Sequence, residues 1–92
     1  MGVKVLLDSV DKVRDFVDIT NDTPYDIDVI SGKHTYLDAK SLLGVLSCDC
    51  RKPLVLDIHA EKSERKELVT RLQKYVVASR TAETGFEITK GF

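Results

Sequence analysis

The 92-residue sequence has no tryptophan, one methionine, two prolines and two cysteines, and no apolar run approaches the roughly 20 residues that a membrane span needs. No charged amino-terminal segment leads into an apolar stretch and a small-residue cleavage site, so the expected location is the cytoplasm. Cys48 and Cys50 are separated by a single residue. That is too close to staple distant parts of a fold as secreted mini-domains do, and it agrees with a reducing compartment. No second cysteine pair exists, so a four-ligand zinc clip is not expected, and neither a metal nor a cofactor is implied. Charge of one sign is lacking too: 14 basic residues against 15 acidic ones give a formal net charge of -1. There is no global field to condense on nucleic acid or an anionic membrane, and neither is an expected partner. No glycine-rich phosphate loop or nucleophile elbow occurs.

What is present suffices for one small globular domain. Hydrophobic residues make up 42 % and charged residues 32 %, far from the low-hydrophobicity signature of disorder. A chain of this length buries about 60 to 65 % of the surface its unfolded form would expose, room for one core layer.

Val3, Val5 and Leu7 alternate with Lys4, Leu6 and Asp8 as in a strand with one buried face. The period then changes. Val10, Val13, Phe16 and Val17 recur at helical spacing up to about Ile19, with Asp8 or Ser9 available as the cap and Asp11 near the positive helix end. Pro24 ends this segment at Asn21-Asp22-Thr23. Tyr25, Ile27 and Val29 alternate with Asp26 and Asp28 as a second strand. Ser31-Gly32-Lys33 supplies a residue able to take positive φ in a hairpin, and a third strand spans roughly His34 to Leu37.

Ser41 to Leu46 is short and apolar, with Ser41 as a natural N-cap, and predicts a brief helix broken by Asp49 to Pro53. Val45 or Leu46 must face the core. Leu54, Leu56 and Ile58 alternate with Val55, Asp57 and His59 as a fourth strand, with Asp57 and His59 on its polar phase as a solvated pair. Ser63 can cap a last helix with its apolar stripe at Leu68, Val69, Leu72, Tyr75 and Val76, and this is expected to be the clearest amphipathic stripe of the chain. Glu61 to Glu67 reads as its solvated face. Arg80 to Phe92 has no clear period, and Phe86, Ile88 and Phe92 stay without a role. The expected class is α+β, an antiparallel sheet covered on one side, in one domain over residues 1–78 with an unassigned tail over 79–92.

The run Leu37-Asp38-Ala39-Lys40-Ser41-Leu42-Leu43-Gly44-Val45-Leu46-Ser47 resembles the segment around the regulatory serine of HPr, the phosphocarrier of the bacterial sugar phosphotransferase system. The order of elements is similar as well, over residues 2 to about 78. The resemblance implies a βαββαβα open-faced sandwich, a four-stranded antiparallel sheet with three helices on one face. The family's other signature, a histidine at the start of the first helix followed by a small residue, an arginine and a proline, is missing. Counting back from Ser41 puts Val10 at that position; aligning the second strand puts Ser9 there. Lys12 or Arg14 can supply a nearby positive charge, but His34 and His59 lie elsewhere. Accepting a phosphoryl group from a phosphohistidine and passing it on needs an imidazole nitrogen, so the relay cannot run.

The regulatory half of the family's biology needs no histidine. In HPr and its paralogues the serine matching Ser41 is phosphorylated by a dedicated ATP-dependent kinase, and the phosphoprotein binds a transcription regulator. The resemblance therefore implies a non-enzymatic docking module switched at Ser41, with Lys40, Leu42, Leu43 and Leu46 as contact residues. Its implied partners are an HPr-type serine kinase and a transcription regulator. Two other readings stay open: a phosphocarrier using Ser9, His34 or His59, and a structural or interaction relic of the fold without phosphorylation.

Overall fold

The structure, a computed structural model, describes the backbone of residues 3–80 and 87–88 and the side chains of residues 3–77. Strand β1 (Val3–Val5) leads into helix α1 (Val10–Asn21), and β2 (Ile27–Ser31) and β3 (Thr35–Asp38) form a hairpin. Helix α2 (Leu42–Leu46), β4 (Leu54–Ile58) and α3 (Lys62–Arg71) follow, and after a 3-10 turn (Gln73–Tyr75) come β5 (Val76–Arg80) and the two-residue β6 (Glu87–Ile88). The class is α+β, and the described residues form three helices and one antiparallel sheet ordered β3-β2-β4-β1-β5-β6.

Period-two patterning decides which face of the sheet is dry. Val5 on β1, Ile27 and Val29 on β2, and Leu54, Leu56 and Ile58 on β4 are all buried, and they meet Val13, Phe16 and Val17 of α1, Val45 of α2 and Leu68 of α3 in one core. Lys4, Asp28, Ile30, Tyr36, Val55 and Asp57 occupy the alternate positions and keep at least part of their surface in solvent. Gly32 takes φ +66° in the β2–β3 turn, as the hairpin requires. His34 is exposed in that turn and lies outside β3.

The sheet has more than the four expected strands: five of three to five residues, with β6 at the rim. The difference arises at Tyr75 and Val76, which do not continue the last helix. That helix stops at Arg71, Tyr75 closes the 3-10 turn, and Val76 begins β5. The β-branched pair Val76-Val77 suits a pleated surface, and β1, paired on one side with β4, would otherwise present a bare edge. Leu6 N–H also reaches the Tyr75 carbonyl at 2.9 Å.

Leu72, Tyr75 and Val76 are buried as their apolar character predicts, but from outside α3. Within α3 the one buried residue is Leu68, so the strongest stripe belongs instead to α1, which buries Val13, Phe16, Val17 and Thr20. Ser63 is not the cap of α3. Glu61 occupies that place, its N–H donating to Glu64 Oε1 at 3.2 Å, so the cap lies two residues earlier. Phe86 and Phe92 lie outside the described residues. Among those described, no helix is long and apolar enough to cross a membrane.

Candidate functional site

Helix α2 is held from both sides. Ser41 has extended backbone (φ -102°, ψ 112°), and its Oγ accepts from Gly44 N–H at 3.1 Å, satisfying one of the orphan donors of the first turn. The residues before it are pinned to α1. The buried Thr20 hydroxyl donates to the Ala39 carbonyl at 2.8 Å and Asn21 Nδ2 to the Lys40 carbonyl at 2.9 Å. Lys40 Nζ donates to the Thr23 carbonyl at 2.8 Å, so one of its donors is used within the fold. Ala39 N–H bonds the Ile27 carbonyl at 2.9 Å, which ties the same segment to β2.

With its entry fixed, α2 sends Val45 fully into the core and turns its other apolar residues outward. Leu43 keeps 81 % of its surface in solvent, Leu42 37 % and Leu46 38 %. Residues three and four apart share a helix face, so Leu46 stands beside both Leu42 and Leu43. This is the densest group of exposed leucines among the described residues. Gly44 matters to Ser41: a Cβ there would lie 3.1 Å from Ser41 Oγ and 3.3 Å from its Cβ, so the glycine keeps the hydroxyl uncrowded.

At the start of α1, Ser9 is the N-cap, with Oγ accepting from Lys12 N–H at 3.2 Å, and Val10 is the first helical residue, 57 % exposed. Neither offers an imidazole. Lys12 is paired with Asp8 at 2.7 Å. Cys48 and Cys50 are free and half-buried just after α2, with their thiols against the Gly44 and Val45 carbonyls, and burial pushes both thiols up from their ordinary values. Higher thiol values mean less thiolate at neutral pH and low nucleophilicity.

A second cluster was not visible as a unit in the sequence. Asp28 on β2 and Asp57 on β4 are direct cross-strand partners. His59 Nε2 lies 3.0 Å from Asp28 Oδ2 and 3.5 Å from Asp57 Oδ2. The hydrogen bond that the ring donates to Asp28, and then the charge of Asp57, raise the imidazole above its usual value. The Asp57–His59 phase is legible from alternation; the contribution of Asp28 depends on the β2–β4 register, which alternation does not contain.

No family model, curated protein or solved structure matches the chain.

Proposed function

We propose that this chain is an HPr-like protein-docking module whose contact surface is α2 and whose switch is phosphorylation of Ser41. The observation that carries the reading is the outward display of Leu42, Leu43 and Leu46 from a helix anchored by the buried Val45. An exposed leucine is ordinary on a surface, but three on one five-residue helix form a patch with a reason to be covered. The order β1-α1-β2-β3-α2-β4-α3 over residues 3–71 supports an open-faced sandwich of the HPr kind.

The residues at the head of α1 argue against a phosphocarrier, because Ser9 and Val10 provide no nitrogen nucleophile. Phosphorylation of Ser41 transfers the γ-phosphoryl of ATP to Oγ, with ADP leaving and the hydroxyl proton lost. The product carries about -1.5 to -2 charges at a helix start, where the free amides favour an anion. The uncrowded hydroxyl above Gly44 suits such a mark. A transcription regulator would then read leucines and phosphate together, and the kinase would dock on the leucines alone.

The test is the affinity of a labelled HPr-type serine kinase for the wild-type protein and for Leu43→Asp. Leu43 is the most exposed of the three leucines, so its replacement leaves the fold intact. A loss of at least about tenfold, equivalent to about 1.4 kcal/mol, is expected if Leu43 is a central contact. Equal binding by both proteins would refute the docking surface.

A further inference from the structure

The face of the sheet opposite the core carries a donor set that the docking reading does not use. Asp38, Asp28 and Asp57 stand side by side on β3, β2 and β4 through direct cross-strand pairing. Like charges placed directly opposite each other are destabilising, and among the described residues neither Asp28 nor Asp57 has a Lys or Arg ion-pair partner. The imidazole of His59 is the group that reaches both. One carboxylate oxygen from each of Asp28 and Asp57 and one ring nitrogen of His59 lie within 4.8 Å of one another.

We propose that Asp28, Asp57 and His59 form a three-ligand site for a divalent first-row transition cation such as Zn²⁺, with its remaining coordination positions open to water or an external ligand. Zinc holds imidazole nitrogen and carboxylate oxygen at about 2.0–2.2 Å, so ligands around it sit roughly 3 to 3.5 Å apart. The imidazole nitrogen already lies 3.0 and 3.5 Å from the two carboxylate oxygens. Both aspartates are on paired strands at the centre of the sheet, so the backbone is held in place before a metal arrives. Two carboxylates and one neutral imidazole also balance a dication, which removes the repulsion between Asp28 and Asp57. An imidazole with two carboxylates suits Zn²⁺ and its first-row neighbours, whereas Mg²⁺ and Ca²⁺ favour oxygen-only ligand sets.

The experiment titrates Zn²⁺ into the full chain carrying Cys48→Ser and Cys50→Ser, which removes the thiols as competing ligands. Binding is followed by calorimetry and by amide and imidazole NMR shifts. The expected result is one saturable site, with shifts centred on Asp28, Asp57 and His59. Affinity should fall at least about tenfold in His59→Ala and in Asp28→Asn, while His34→Ala binds as the parent does. Amide spectra of the variants establish that each is folded. Absence of saturable binding in the folded parent, retention of affinity in folded His59→Ala, or shifts centred on His34 would each overturn the proposal.

Discussion

Thr20→Val tests the clasp that positions α2. Thr20 is fully buried, and its hydroxyl lies 2.8 Å from the Ala39 carbonyl and 3.0 Å from the Val17 carbonyl. Valine has nearly the same shape but puts a methyl group where the hydroxyl donates, so the Ala39 carbonyl loses that donor inside the core. A buried polar group stripped of its partner costs about 1–3 kcal/mol. The urea midpoint should therefore fall by about 1 M, given a slope of about 1–3 kcal/mol per molar for a small domain. Each kcal/mol lost should lower Tm by about 4–8 °C. Thr20→Ser keeps the donor and deletes one buried methyl, a loss of about 1 kcal/mol. Equilibrium unfolding followed by circular dichroism measures both variants. In Thr20→Val, amide exchange at Val45, whose N–H bonds the Ser41 carbonyl at 3.0 Å, should accelerate more than exchange in α3. Stability of Thr20→Val within about 0.5 kcal/mol of wild type, the range of inconsequential surface changes, would refute the argument.

Other perturbations follow from the same geometry. Ser41→Ala should lower stability by about 1 kcal/mol through loss of the α2 cap, and Ser41→Asp, which restores an acceptor, should recover most of it in the same urea assay. Gly32→Ala should be destabilising by about 1 kcal/mol from backbone strain alone, since φ is +66° and a Cβ there would meet nothing within 4 Å. Tyr75 is pushed up to about 12 by burial and by its hydrogen bond to Asp15. Its folded value exceeds the ordinary 10.0, so the stability it confers is present below pH 10 and is lost as pH rises towards 12. The alkaline absorbance difference between wild type and Tyr75→Phe should titrate near that higher value, and a midpoint at the ordinary tyrosine value would contradict the packing of Tyr75.

Much of the architecture could be read from local chemistry. Ser9 and Ser41 cap the helices they precede, Gly32 takes the positive φ its turn needs, and Ile27/Val29 and Leu54/Leu56/Ile58 bury the faces their alternation assigns. These features depend on neighbours within a few residues. The misreadings have a different character. Tyr75 and Val76 fit helical spacing after Leu68 and Leu72, but their burial comes from a turn and a strand beside β1, more than sixty positions away in the chain. Periodicity reports that a residue wants burial, and tertiary pairing decides the backbone that provides it. The start of α3 departs from the Ser63 cap for a local reason, the Glu61–Glu64 capping pair competing with Ser63.

The two candidate sites divide in the same way. Ser41 and its leucines are contiguous, so a single stretch of sequence carried them, although which leucines face outward was decided only by Val45 taking the core position. The Asp28–Asp57–His59 cluster joins two strands through their register, and a one-residue slip would turn Asp28 into the core. Sequence alternation places each of the three residues on a wet face without saying that they meet.

The central claim, a docking module switched at Ser41, is tested most directly by intact mass after incubation with an HPr-type serine kinase and ATP, with Ser41→Ala alongside. The account predicts one phosphate on the wild-type chain and none on the variant. An unmodified wild-type chain, or a phosphate that persists in Ser41→Ala, would contradict it.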